Sequence, residues 1–105
     1  MDNYFRVQKA GYSFAEMQAH VSEDGGDGLE EIGGVCACLT VQDLLNNTAW
    51  DAMDDDDEVI IFRAIELAGI YDGYRVQPVS EVARFSVAEF TAMVESGAAQ
   101  EYETL

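Results

Sequence analysis

Positive charge is what this chain has least of. Lys9 is the only lysine, and five basic residues face 21 acidic ones for a formal net charge of −16. An excess of that size repels nucleic acid and anionic membrane surfaces, and it loads the compact state with self-repulsion. Neither direct DNA or RNA binding nor association with an anionic membrane is therefore expected, and any macromolecular partner is expected to be basic. Histidine occurs once, as His20, and proline once, as Pro78. Cysteine occurs only as Cys36 and Cys38, one residue apart. In a strand these two would lie on one face, about 6.5–7 Å apart, at or beyond the reach of a disulfide. The lack of a disulfide framework fits a reducing compartment. Long apolar runs are missing too. Residues 33–42 lie within the longest uncharged stretch near the middle, which begins at Ile32 and is too short and too mixed to span a bilayer. The opening "MDNYFRVQKAG" lacks the basic-then-apolar layout of a signal peptide. The expectation is a soluble, cytoplasmic protein, monomeric or dimeric.

What the chain does have is enough apolar material to fold. Its 105 residues suit one domain, and 49% of them are hydrophobic, sufficient for a single core despite the charge. "NYFRVQ" alternates aromatic and polar residues and reads as a first strand. "SFAEMQAHV" follows with Ser13 and Glu16 in capping-box spacing, which predicts a short helix. Residues 22–34, "SEDGGDGLEEIGG", read as a Gly-rich acidic loop. "GVCACLT" reads as a buried strand, and Thr40 as the cap of a helix through "VQDLLNN". "EVIIFRAI" has the β-branched density of a central strand buried on both faces. Asp72-Gly73 signals a tight turn into a strand through Val76. Pro78 interrupts that strand, which predicts an edge or a strand end, with "SEVARF" as a further strand. Ser86 and Glu89 repeat the capping-box spacing before "VAEFTAMVES", and Gly97 is a helix stop. The final residues, 98–105, read as a loosely held acidic tail. Strands and helices mix without strict alternation. That predicts one compact α+β domain with a mostly antiparallel sheet of about five strands and two or three short helices.

The usual catalytic and metal constellations do not assemble in this pattern. An EF-hand begun at Asp54 would put Val59 at its obligatory glycine, and one begun at Asp24 would put Gly26 and Gly28 at ligand positions. Zinc would need two strong ligands beyond Cys36 and Cys38, and only His20 is on offer. A nucleophile would need His20 as its base, with nothing local to join them. "DGGDG" resembles a phosphate loop only in its glycines, since its acids repel phosphate and no lysine follows. The expectation is no metal, no cofactor and no catalytic residue, with the cysteines serving as small apolar side chains.

Acidic surface is what remains. Four aspartates stand in a row at residues 54–57, and eleven of the 21 acids fall in residues 22–31 and 51–58. Asp54, Asp55, Asp56, Asp57 and Glu58, supported by Glu23, Asp24, Asp27, Glu30 and Glu31, are the candidate partner-binding residues. Duplex nucleic acid presents a charge about every 1.7 Å of its axis, and rows of aspartate approach that density. A folded patch of this kind can enter a basic nucleic-acid groove under electrostatic guidance. Trp50, directly before the run, is the candidate aromatic anchor; Tyr4, Tyr12, Tyr71 and Tyr74 are further ones. Two plainer readings stand beside it: a solvated loop that only keeps the protein soluble, and a housekeeping domain of an acid-rich proteome.

In order along the chain, "YFRVQ", "GVCAC", "DLL", "EVIIF" and "DGYRVQPV" resemble small bacterial and phage proteins built on the ADP-ribosyltransferase scaffold, over about half the chain. The resemblance implies a split α+β fold with an NAD cleft. It puts Arg6 at the first-strand motif and Glu66 or Glu81 at the late catalytic acid. The second motif's serine or threonine is absent from "VCAC", and neither glutamate stands in an E-x-E or Q-x-E motif. With those departures the resemblance implies a binding protein rather than an enzyme, and the acidic surface predicts a nucleic-acid mimic of phage or mobile-element origin, an inhibitor of the anti-defence or anti-CRISPR kind. A divergent NAD-binding transferase is the alternative.

Overall fold

The computed structural model describes residues 2–19, 34–48, 50–70 and 73–104. In chain order the elements are β1 (Asn3–Gln8), α1 (Phe14–Ala19), β2 (Val35–Ala37), α2 (Val41–Asn47), a 3-10 turn (Trp50–Ala52), β3 (Glu58–Ile70), β4 (Gly73–Ser86), α3 (Val87–Ser96) and a final 3-10 turn (Ala99–Glu103). One antiparallel sheet runs β1-β3-β4-β2. The α+β expectation holds, with four strands in place of about five.

Pro78 is the reason for the difference. The sequence reading offers an edge or a strand end there; β4 runs unbroken through it, and β2 pairs with β4 only at residues 74–76, so the edge alternative fits. Register slips where Ala64 pairs with Pro78 and Arg63 with Ser80, so Val79 is the extra residue of a bulge. A bulge is one of the few places where a strand accommodates a residue with no N–H. Two more irregularities, beside Val82 and Leu67, add twist to this long hairpin.

The twist lets the outer strands meet. Just past β2, Cys38 exchanges two backbone hydrogen bonds with Phe5 of β1, at 2.8 and 2.9 Å. The Arg6 guanidinium donates to the Cys36 carbonyl at 2.8 Å. The sheet is curled almost into a barrel, and β3 lies at its centre. Val59, Ile60, Ile61 and Phe62 are all fully buried, as a strand covered on both faces requires. Their side chains alternate between two cores. Val59 and Ile61 join Phe5, Leu44, Val87 and Phe90 under α2 and α3. Ile60 and Phe62 join Tyr4, Met17, Val35 and Val76 beneath α1.

The helices start where side chains satisfy their first N–H groups. Ser13 Oγ accepts from Glu16 N, and Thr40 Oγ1 from Asp43 N, each at 3.1 Å. At α3 the full capping box forms: Ser86 Oγ accepts from Glu89 N, and Glu89 Oε1 accepts from Ser86 N. Gly97 closes this helix in the left-handed region, at φ 86°. Ser86→Ala is expected to cost about 0.5–2 kcal/mol, read as a lower urea midpoint. The C-terminal residues, read from sequence as a loose tail, pack instead. Ala99 is fully buried, the Tyr102 ring meets Phe85 at 5.8 Å, and Glu103 accepts the Val41 N–H at the start of α2. No helix among the described residues is long and apolar enough to cross a membrane.

Candidate acidic interface

The four aspartates do two different jobs. Residues 54–57 form a turn, closed by Asp57 N donating to Asp54 O at 3.0 Å. Asp57 faces inward: its residue is only 6% exposed, and its Oδ2 accepts Asp54 N at 3.1 Å. The turn is also fastened to the start of α3. Val87 N donates to Asp57 O at 2.7 Å, and Ala88 N to Asp55 O at 3.2 Å. Two of the helix's otherwise unpaired donors are satisfied this way. Asp54, Asp55 and Asp56 are left exposed on an anchored backbone. Asp57 was a predicted contact residue, and its place in the fold is that of a turn-former.

Lys9, the chain's single lysine, serves this turn. Its Nζ stands 3.3 Å from an Asp57 carboxylate oxygen and 3.6 Å from one of Asp54. The hydrogen bond to Asp57, then the charges of Asp57 and Asp54, raise the Lys9 pKa above its ordinary value. The Lys9–Asp54 pair is exposed on both sides and adds little stability, whereas the Asp57 carboxylate of the other pair is buried.

Other acids collect beside it. Glu58, first residue of β3, accepts from Arg84 at 3.0 Å, and Glu81 accepts from the same guanidinium at 2.8 Å. The hydrogen bonds to Glu81, and then to Glu58, outweigh partial burial and raise the Arg84 pKa. Arg84 also donates to the Tyr12 carbonyl at 2.8 Å, which brings in α1 with Glu16; Tyr12 O–H reaches the Glu16 carbonyl. Glu89 sits in the capping box beside the turn. One end of the molecule therefore gathers acids from α1, the 54–57 turn, β3, β4 and α3, with Lys9 and Arg84 as the cations in contact with them.

The rest of the predicted interface divides. Glu23, Asp24, Asp27, Glu30 and Glu31 lie outside the described residues, as does His20. Trp50 is a half-buried lid on the core: its ring meets Phe90 edge-on at 5.9 Å, and it lines a shallow groove with Leu45, Thr48 and Val94. Asp2, Asp43, Glu66, Glu95, Glu101 and Glu103 fall elsewhere. Glu66 and Asp2 flank a small pocket floored by Tyr4 and Ala64.

For a cation, Asp54, Asp56 and Asp57 are a possible arrangement among the described residues, with one oxygen of each within 4.8 Å of the others. Lys9 already supplies positive charge there. Arg6 is engaged with the Cys36 carbonyl, Glu81 with Arg84, and the pocket holding Glu66 also carries Asp2. Two carboxylates would repel the phosphates of NAD. Cys38 is buried in the core and Cys36 half-buried.

Lys9 and Arg84 were missed from sequence as organisers of this end. A signal existed: with few cations among so many acids, each cation is expected to be engaged. Comparisons of the chain with protein-family models, with curated proteins and with solved structures find no match.

Proposed function

We propose that this is a non-catalytic acidic binding protein. In this reading it works in the cytoplasm, offering the end built on residues 54–58 to a basic, nucleic-acid-binding surface of a partner protein. It acts there as a nucleic-acid mimic and inhibitor, competing with DNA or RNA. The observation that carries this reading is the anchoring of the 54–57 turn. Asp54, Asp55 and Asp56 are exposed, yet hydrogen bonds to α3 and through Asp57 fix their backbone. A preset row of carboxylates avoids the ordering cost that a floppy acidic loop would meet on binding. Glu58, Glu81, Glu89 and Glu16 extend the field around it, and such a field guides a basic partner from a distance.

The test begins with a partner captured at low salt and released at high salt, then purified. Asp54→Asn, Asp55→Asn and Asp56→Asn together should weaken its complex by about 10–100-fold at low salt and flatten the salt dependence. The wild type, and not this triple variant, should displace labelled duplex or RNA from the partner. Because Asp57 is retained, the turn should persist, and relief of like-charge repulsion should leave the variant at least as stable. Unchanged affinity and unchanged salt slope would reject the reading. Saturable NAD binding, followed by Trp50 fluorescence, would favour a transferase-like protein instead.

A further inference from the structure

The groove beside Trp50 has a chemistry of its own. It lies between the end of α2, the 3-10 turn at Trp50–Ala52 and α3, and it shares no lining residue with the acidic end. Its volume is about 500 Å³, within the range of about 300–1,000 Å³ over which proteins hold small molecules. Leu45, Trp50 and Val94 supply apolar walls, each half-buried against the core beneath α2 and α3. Trp50 sets one edge of its indole against Phe90 and leaves the rest of the ring to the groove. Apolar walls with a few placed polar groups are the usual make-up of a ligand site.

The hydroxyls and the carboxylate in the lining can only accept. Thr48 Oγ1 donates to the Leu44 carbonyl at 2.6 Å, and Thr91 Oγ1 to the Val87 carbonyl at 2.8 Å. Each hydroxyl has committed its single proton within the protein, so lone pairs are what it offers a visitor. Glu95 is exposed and makes no hydrogen bond or ion pair among the described residues. It stands in the last turn of α3, which holds no base, and there the negative end of the helix disfavours a carboxylate. Thr91 and Glu95 are four positions apart and so are neighbours on one face of α3. None of the chain's five bases lines the groove. Lys9 and Arg84 serve the acidic end, Arg6 binds the Cys36 carbonyl, Arg75 is buried on β4, and Arg63 lies on β3.

We infer that this groove is a binding site for a small organic cation, an ammonium group carried on an aromatic body. The ammonium brings three donors to the Glu95 carboxylate and the Thr91 hydroxyl oxygen. The body lies along Trp50, Leu45 and Val94, where the indole face also attracts the positive charge. An anion is repelled by Glu95. A neutral apolar molecule would cover these acceptors and leave them unpaired, at a cost. A groove of this volume takes a whole small molecule rather than the tip of one side chain. The site goes beyond the acidic-end reading and stands without it.

Phenethylammonium, titrated into the full chain at physiological salt, tests the inference. Saturable binding is expected, seen as a change in Trp50 fluorescence and as amide shifts centred on Trp50, Thr91 and Glu95. Glu95→Gln should weaken it about fivefold, and Thr91→Val, which keeps the side-chain shape, about threefold. Phenethyl alcohol, with the same body and no charge, should bind at least about fivefold more weakly, and phenylacetate should not bind. Ethylammonium, with the charge and no body, should leave the fluorescence unchanged. The triple Asn variant at Asp54, Asp55 and Asp56 should bind phenethylammonium as the wild type does, so failure here and failure of the acidic-end reading are told apart. Equal affinity in Glu95→Gln, equal affinity for the alcohol, shifts centred on residues 54–58, or a titration that never saturates would overturn the inference.

Discussion

Arg75→Met should make the protein more stable, by about 1–4 kcal/mol. Arg75 is fully buried on β4. Its Nε, Nη1 and Nη2 are all sequestered from solvent without a hydrogen-bond partner among the described residues. A guanidinium carries five N–H donors and cannot shed its charge. Leaving it dry and unpaired forfeits its hydration with nothing in return, a penalty of several kcal/mol. Its cross-strand neighbours are Cys36 on β2 and Ala68 on β3, both small, so an unbranched side chain of similar length fits between them. Methionine keeps the packing and removes the charge. Arg75→Lys keeps the charge and should bring no gain. Urea unfolding with an unchanged m-value is the measurement. A loss of more than about 1 kcal/mol in Arg75→Met would overturn the argument, because it would mean that the charge is compensated in the folded protein.

The contrast between Arg75 and the other arginines shows which parts of a sequence speak for themselves. Local rules read well here. Both Ser-x-x-Glu spacings cap helices, Thr40 caps α2, and the β-branched run of β3 is buried on both faces as its composition demands. Each of those features depends on residues within a turn or two of one another. Features made by distant residues were not legible. Pro78 reads as a break because the chain-local rule for proline is strong, and only the pairing with Ala64 turns the break into a bulge. The contact of Phe5 with Cys38 joins positions from opposite edges of the sheet, and no pattern along either strand announces it.

The aspartate run divides for the same reason. Four identical letters gave no means of separating the one that folds the turn from the three that face water. The separation comes from Lys9, Val87 and Ala88, brought to the turn by β1 and α3. Acidity alone singled out the stretch as a whole, and tertiary structure decides which of its carboxylates face water.

Phe62→Ala is expected to remove about 3–5 kcal/mol, a large share of the 5–15 kcal/mol typical of a whole domain. Phe62 is fully buried in the core beneath α1, where its ring meets Phe14 at 6.3 Å and Tyr4 at 6.4 Å. Its removal leaves a cavity that β3 cannot close, since this strand is held on both sides by β1 and β4. The damage should fall first on α1. With six residues that helix is far too short to persist alone, and Phe14 and Met17 hold it to the sheet. Amide exchange should therefore quicken in α1 before it does in α3, whose own core lies on the opposite face of β3. Ile65→Ala, three positions along the same strand but exposed, should cost no more than about 0.5 kcal/mol. Equal losses for the two variants in urea unfolding would contradict the two-core architecture, because they would mean that burial on β3 does not follow its alternation.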